Sequence, residues 1–346
     1  MITFSRDHTR ILKGIALLLM IVHHTSMPSL WADEGSDAFV AFQYLQQSAK
    51  ICVYIFAFLV GYGFYCSKNK TIQYSFKRCC LLLVPFWTML FCIFLPLSII
   101  SGSFAVHSGG NLWGGVKLIL LNMFGVDETL NWYSWFVCFY ILAIYSLPLL
   151  NRLFTHYEKY GWIICIGFYY ICECLLHLIP NWESNWISLN LFTYTAQMPC
   201  VILGYMCAYW NYKGLLPRLF EGKSRLSLAM VSIFAVLVFS ALKMPTLGFC
   251  FQAFYAPILI FAVVGIINVM PFNSLSKFLQ NIGSQSLYMW FFHAVFFTES
   301  VNTYTKRLVL EPIHNFFYTL FMTFILTYIW SWIIKKMVSP IMQRIK

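Results

Sequence analysis

Long apolar runs separated by short polar segments make up most of this 346-residue chain. A helix needs about 20 apolar residues to cross the hydrocarbon core of a bilayer, because each residue adds about 1.5 Å. The runs predict an all-α polytopic bundle of about ten transmembrane helices. The predicted spans cover residues 11–30, 48–66, 79–100, 133–150, 161–179, 191–211, 226–242, 249–270, 286–300 and 315–334. Segment 112–124 is too short to cross and is predicted to lie in, or re-enter, the membrane interface.

No soluble appendage, low-complexity tract or internal repeat interrupts this pattern, which predicts a single transmembrane domain over residues 1–346. Arg6, Arg10 and Lys13 precede a short apolar core, as in a signal peptide. No small-residue cleavage site follows His24, and we therefore expect the first span to be retained.

The composition is 60% hydrophobic and only 10% charged, which excludes an ordinary soluble domain. The net charge is +11, but the basic residues are scattered in short groups, which argues against a nucleic-acid partner. With ten spans, the 23 Lys and Arg residues concentrate on the side of the N-terminus, and the positive-inside rule predicts both termini in the cytoplasm. The exceptions are Lys50, Lys117, Lys243, Lys306 and Arg307.

The 12 cysteines lie mostly inside apolar runs, singly or as the neighbours Cys79 and Cys80, without the spacing of metal ligands. We interpret them as reduced packing residues and predict neither a disulfide framework nor a metal site. The chain contains no Walker loop, dinucleotide fingerprint, HExxH or nucleophile elbow. Nucleotide hydrolysis, redox and zinc protease chemistry therefore lack support.

Two histidines close the first apolar run, which begins at Lys13. Eleven helical residues bring His24 to within about 20° of Lys13 on one helix face, and about 16 Å along it. An ionisable residue inside a membrane is a candidate functional group, and His24 is a candidate general base. The alternative for His24 is a hydrogen bond between helices. His23 points about 100° away and is interpreted as structural.

A second deep histidine, His293, follows Ser286 by seven residues on the same predicted face. His24 and His293 both enter from the predicted cytoplasmic side and reach similar depth, so we expect them to converge in one cavity. The alternative is that His293 is a satisfied core residue.

Lys77 and Arg78 open the third predicted span, and topology alone accounts for Lys77. Pro85 lies two turns inward and predicts a kink that leans the helix over a cavity bordered by Arg78. A guanidinium there suits a phosphate or a carboxylate, although topology alone remains the alternative.

The cluster WYSWF, residues 132–136, is typical of an interfacial anchor, while aromatic faces also stack on sugar rings. Glu173 and His177 lie four residues apart on one predicted helix face. They form either a structural pair or a proton relay.

Four segments carry a resemblance to a known family: KGIALLLMIVHH, FKRCCLLLVPFW, WYSWFVCFYI and NIGSQSLYMWFFHAVFF. In this order, across nearly the whole chain, they resemble the acyltransferase 3 family of membrane acyltransferases. The resemblance implies transfer of acetyl or other short acyl groups to hydroxyls of surface polysaccharides and other acceptors outside the cytoplasm. It also implies a multi-pass protein of the bacterial cytoplasmic (inner) membrane.

The resemblance assigns roles by position. The family's basic residue and histidine, with ten residues between them, match Lys13 and His24, with Lys standing where Arg is common. Its third-span basic cluster matches Lys77 and Arg78, and Leu81 stands where a further Arg is expected. The implied catalytic residues are His24 and His293, and the implied binding residues are Lys13, Arg78, Ser286 and Trp135.

The resulting prediction is an O-acyltransferase that uses cytoplasmic acyl-CoA, most simply acetyl-CoA, as donor substrate, with no bound cofactor or metal. The acceptor is predicted to be a glycan or a lipid-linked sugar presented at the bilayer. The alternative is a transporter or flippase of a lipid-linked or acylated glycan. Transporters often have two corresponding halves with broken helices, and the sequence shows no such correspondence.

Overall fold

The computed structural model describes residues 4–215, 227, 230, 231, 234, 252–269, 273–297 and 315–345, and these contain helices and no strand. The helices are α1 Arg6–Thr25, α2 Asp37–Ala49, α3 Ile51–Tyr65, α4 Ile72–Met89, α5 Leu95–Ile100, α6 Ser103–His107, α7 Leu112–Met123, α8 Trp135–Glu158, α9 Tyr160–His177, α10 Trp186–Tyr212, α11 Gln252–Val269, α12 Asn273–Ser284, α13 Ser286–His293 and α14 Phe316–Ile345.

Six stretches of helix within the described residues are long and apolar enough to cross a bilayer. This confirms an all-α, polytopic membrane fold, while the count of ten spans and the cytoplasmic termini stay predictions. The predicted span 226–242 falls almost entirely outside the described residues. The six stretches are Asp37–Tyr65, Ile72–Ile100, Trp135–Glu158, Tyr160–His177, Trp186–Tyr212 and Phe316–Ile345.

Several helix ends differ from the sequence prediction. The first helix ends at Thr25 instead of continuing to residue 30, because the Thr25 and Ser26 hydroxyls donate to backbone carbonyls one turn back. The second apolar stretch begins at Asp37 instead of residue 48, since the Ser36 hydroxyl caps α2 by accepting from the Phe39 amide. Segment 112–124 forms a helix, Leu112–Met123, too short to span.

The chain divides into two compact units, and each is described here by itself. Unit 1 comprises Met1–Lys70, Leu149–Cys174 and Thr195–Ser284. Unit 2 comprises Thr71–Pro148, Leu175–Tyr194 and Gln285–Lys346.

In unit 1, α1 packs against α2, α3 and α12. A Cβ added at Gly14 would lie 2.2 Å from the Leu279 carbonyl oxygen, and one at Gly283 would lie 1.8 Å from that of Arg10. The absence of side chains at these two glycines therefore lets the backbones of α1 and α12 touch, as small residues do in membrane bundles.

In unit 2, α13 packs against both α4 and α14, and α14 also packs against α4. Aromatic pairs fill these contacts, with the rings of Phe86 and Phe291 5.0 Å apart and those of Phe292 and Trp330 5.5 Å apart. Aromatic side chains along α13 therefore form part of the core of unit 2.

Several helix ends meet at one end of unit 1. The Tyr65 ring, at the end of α3, lies 6.0 Å from the Tyr209 ring near the end of α10. Trp162, at the start of α9, lies 5.1 Å from Tyr209, and Phe4 lies 4.2 Å from Tyr62. The segments that the charge pattern assigns to the cytoplasmic side are thus gathered at the same end of this unit.

Candidate functional site

One uninterrupted helix carries Lys13 and His24 in unit 1. A capping box fixes its start, because the Ser5 hydroxyl accepts from the His8 amide and the His8 ring accepts from the Ser5 amide. Lys13 and His24 are both half-buried. Continuous helix between them places the ammonium-bearing residue and the imidazole on one face, about 16 Å apart along the axis.

The structure places His24 in the last turn of α1. The predicted span continues to residue 30, whereas the helix ends at Thr25, one residue after His24. The imidazole therefore lies at the carbonyl-bearing end of α1. The depth expected for His24 stays a prediction.

His23 is tied to α2 by its side chain. Its Nδ1 lies 2.7 Å from the Gln46 carbonyl oxygen, which only accepts hydrogen bonds, so Nδ1 carries the proton. The contact agrees with the structural role expected for His23. The His23 and His24 rings meet edge to face, with centroids 4.6 Å apart.

Arg78 lies on α4 in unit 2, where its guanidinium donates a hydrogen bond to the hydroxyl of buried Tyr140 on α8. The buried Ser75 hydroxyl donates to the Ile144 carbonyl at 2.6 Å and joins the same two helices one turn away. Arg78 itself keeps exposed surface. Arg78 is thus a partly exposed cation with one hydrogen-bond partner on α8, Tyr140.

Pro85 lies inside the α-helix, which continues to Met89, and a π-helical turn follows at Leu90–Phe94. Pro96 lies two residues after this turn and lacks the amide proton that an α-helical bond would need. The kink expected at Pro85 stays a prediction.

His293 is completely buried at the end of α13. Its Nδ1 bonds the Trp290 carbonyl oxygen and therefore carries the proton. The ring of Tyr133, just before α8, lies 5.1 Å from the His293 ring. Ser286, at the other end of α13, is also buried.

Rings of the cluster at residues 132–136 pack against α13, which carries this histidine. The Phe136 ring lies 4.9 Å from Trp290 and 5.8 Å from the half-buried Trp135. Two buried polar atoms in the adjoining segment, the Asn131 amide nitrogen and the Ser134 hydroxyl, have no hydrogen-bond partner within the described part of the chain. Unpaired buried polar atoms of this kind point to a ligand or water.

The segment between α7 and α8 holds a carboxyl that the sequence did not single out. The Asp127 carboxylate accepts from the Thr129 amide and hydroxyl and from Asn122. Burial, with the charge of Asp127 next to it, raises the pKa of Glu128 to about 8. Burial is the larger cause of this shift, and it depends on the fold around Glu128, so the sequence pattern does not reveal it.

The candidate residues fall into both units. Lys13 and His24 belong to unit 1, while Arg78, Trp135, Ser286 and His293 belong to unit 2. Convergence of His24 with His293 stays a prediction. Glu173 is fully buried, and the His177 ring packs 5.1 Å from both Trp182 and Phe192. Within the described ranges, no three His, Cys, Asp or Glu side chains cluster as metal ligands.

No curated protein and no solved structure matches this chain. A family model described as an acyltransferase domain, Acyl_transf_3, matches residues 10–336. The match covers nearly the whole chain and includes every candidate residue of both units. The chain therefore belongs to the acyltransferase 3 family and is a multi-pass membrane acyltransferase.

Proposed function

We propose that this acyltransferase moves an acyl group, most simply acetyl, from cytoplasmic acyl-CoA to a hydroxyl of a surface or exported glycan, with the lipid-linked sugar included among its acceptors. The observation that carries the proposal is the unbroken helix α1, which aligns Lys13 and His24 on one face. Acyl-CoA is anionic at one end and carries its thioester at the other. A cation and a base separated along one face match those two ends.

In the proposed reaction, His24 takes the proton of the acceptor hydroxyl while its oxygen attacks the thioester carbonyl. A C–O bond forms, the C–S bond breaks, and the departing thiolate takes the proton from the imidazolium. A thioester is already activated, so positioning and a base that contributes about 10²- to 10⁴-fold are sufficient. A transient acyl-imidazole on His24 would give the same products in two steps.

Further residues are proposed as binding groups. Arg78, oriented by Tyr140, binds a phosphate of the donor. The aromatic rings around Trp135 offer a stacking surface for a sugar, and the unpaired Asn131 and Ser134 atoms suit its hydroxyls. Ser286 and His293 shape or polarise the reacting centre.

The first experiment compares ester content of surface glycan, by alkali-labile acyl release and NMR, in a deletion strain that carries the wild-type chain, His24→Ala or His156→Ala. His156 is an exposed control. We expect esters with the wild type and the control and none with His24→Ala, at equal membrane abundance. Normal esters with His24→Ala would remove His24 from the chemistry. No ester with any chain would contradict the glycan acceptor and favour transport.

The second experiment measures binding of labelled acyl-CoA to purified Arg78→Ala, with the neighbouring Lys77→Ala as control. A lost charge-assisted hydrogen bond is worth about 1.5–3 kcal/mol, and we expect about tenfold weaker binding for Arg78→Ala alone. Unchanged affinity together with collapsed expression would show that Arg78 serves topology only.

A further inference from the structure

A cleft of about 400 Å³ opens at the end of unit 1 where α3, α8, α9 and α10 meet. Its lining includes two lysines, one glutamate and several aromatic rings, none of which takes part in the proposed acyl transfer. The side chains used below are Tyr65, Lys70, Glu158, Trp162, Tyr209 and Lys213.

The ammonium groups of two lysines lie over two neighbouring tyrosine rings in this cleft. Lys70 Nζ lies 5.2 Å from the centre of the Tyr65 ring, and Lys213 Nζ lies 5.7 Å from that of Tyr209. The two rings pack edge to face with centroids 6.0 Å apart. Within the lining, Glu158 is the only acid, so the ionised side chains sum to a single positive charge.

Trp162 adds an unpaired donor to the lining. Its side chain is only 4% exposed, and its indole N–H has no hydrogen-bond partner in the described residues. A buried donor left unpaired costs about 1–3 kcal/mol. The cleft lining therefore includes a buried donor that is unpaired within the described residues.

The backbone at the cleft is strained. Glu158, at the end of α8, has φ 46° and ψ −126°, a backbone conformation that residues other than glycine rarely adopt. This residue reverses the chain and brings Phe154 of α8 within 6.3 Å of Trp162 of α9. Strain of this kind is common where a structure holds a ligand.

The outer face of α9, on the opposite side of this helix from Trp162, is apolar. Its members fall within one arc of the helix because they repeat at three- and four-residue spacing. Each is more than half exposed in this membrane protein, so the face suits contact with acyl chains. The residues are Tyr160, Ile163, Ile164, Phe168 and Ile171.

We propose that the cleft binds the headgroup of an anionic glycerophospholipid. The phosphate lies between Lys70 and Lys213 and accepts from the Trp162 indole, while a headgroup hydroxyl donates to Glu158. A lipid fits better than a free phosphate compound because the cleft lies at the ends of four stretches of helix long and apolar enough to cross a bilayer, where lipid headgroups lie. The single negative charge of the headgroup balances the single positive charge of the cleft. This site is independent of the proposed acyl transfer.

The test uses the purified full-length chain and native mass spectrometry with phosphatidylglycerol and phosphatidylcholine of identical chains. We expect the wild type to retain phosphatidylglycerol at least tenfold better, and Lys70→Gln/Lys213→Gln to lose that preference. Lys68→Gln, an exposed lysine of the same segment, is the control and should behave as wild type. A thermal melt in phosphatidylcholine nanodiscs verifies that each variant is folded.

Glu158→Gln gives a prediction of opposite sign, since removal of the acid should strengthen phosphatidylglycerol binding severalfold. Unchanged lipid preference in the double lysine variant would overturn the proposal. Equal binding of deacylated glycerophosphoglycerol, or displacement of the lipid by coenzyme A at equal concentration, would overturn it in favour of a soluble phosphate ligand.

Discussion

Glu128 is the residue whose ionisation most clearly affects the stability of the described fold. Burial, with Asp127 beside it, raises its pKa from 4.5 to about 8. The folded carboxyl thus binds its proton more tightly than the unfolded one, and its stabilising contribution is complete below pH 4.5 and lost as pH rises through 8.

Glu128→Gln should remove this pH dependence. Between pH 5 and pH 9, we expect the unfolding free energy of the wild type to fall by about 1–2 kcal/mol more than that of the variant. This energy is smaller than the full pKa shift implies, because solvent partly screens the carboxylate. Thermal unfolding of both proteins at the two pH values measures the difference. Parallel behaviour of wild type and variant would show that Glu128 is solvated in the folded protein.

The strained backbone at Glu158 predicts an unusual effect of glycine. Glu158→Gly should leave stability unchanged or raise it by up to about 1 kcal/mol, because glycine adopts positive φ without a Cβ clash. Arg152→Gly, in the exposed helical part of α8, should cost about 1 kcal/mol. Melting temperatures in detergent compare the two, and equal losses would contradict the strain.

The sequence predicts residues whose role depends on local spacing. Lys13 and His24 share a helix face as expected, because eleven residues of continuous helix determine their phase. The shifted pKa of Glu128 arises from its burial and from the charge of Asp127 beside it, and the unpaired indole of Trp162 from its burial against rings of other helices. Periodicity does not show how deeply a fold buries a particular side chain, so these two residues are identified only from the structure.

At the scale of helices, glycine positions decide how closely α3 and α10 approach. A Cβ at Gly61 would lie 1.8 Å from the Val201 carbonyl oxygen, and one at Gly204 would lie 2.1 Å from that of Phe58. Gly63, on the same helix as Gly61, has nothing within 4 Å of its added Cβ. These two helices are therefore in backbone contact at a small-residue crossing.

Gly61→Ala should destabilise the protein by about 1–3 kcal/mol, because the methyl group forces the two backbones apart. Gly63→Ala should be neutral or stabilise by up to about 1 kcal/mol, since alanine favours helix and meets open space. Thermal unfolding of the matched pair in one detergent measures both effects. Similar melting temperatures for the two variants would contradict the close crossing.

Hydrophobic runs predict the long helices well, since Ile72–Ile100, Trp135–Glu158 and Trp186–Tyr212 coincide with predicted spans to within several residues. Helix ends are predicted less well because capping hydroxyls and tertiary contacts set them. The end of α1 at Thr25 is such a case, where the Trp31 indole also donates to the Thr25 carbonyl at 2.6 Å.

At the scale of the molecule, the charge pattern and the fold of unit 1 support each other. The ring contacts at Tyr65, Tyr209 and Trp162 gather at one end of this unit the chain segments that carry Lys70, Glu158 and Lys213. The positive-inside rule independently assigns those segments to the cytoplasm. If one of these helices crossed the membrane in the opposite direction, its segment would lie at the other end of unit 1 from the rest.

This agreement leads to a prediction about topology in the cell. In a cysteine-free background, Lys68→Cys should react with a membrane-impermeant maleimide only in inside-out vesicles, and Glu34→Cys only in intact cells or spheroplasts. Both positions are exposed in the fold, so burial does not limit the reaction. Labelling of both from one side would contradict the crossing of Asp37–Tyr65, the stretch of helix between them. Labelling of each from the side opposite to that expected would keep the span and reverse the orientation, and it would move the proposed donor site away from cytoplasmic acyl-CoA.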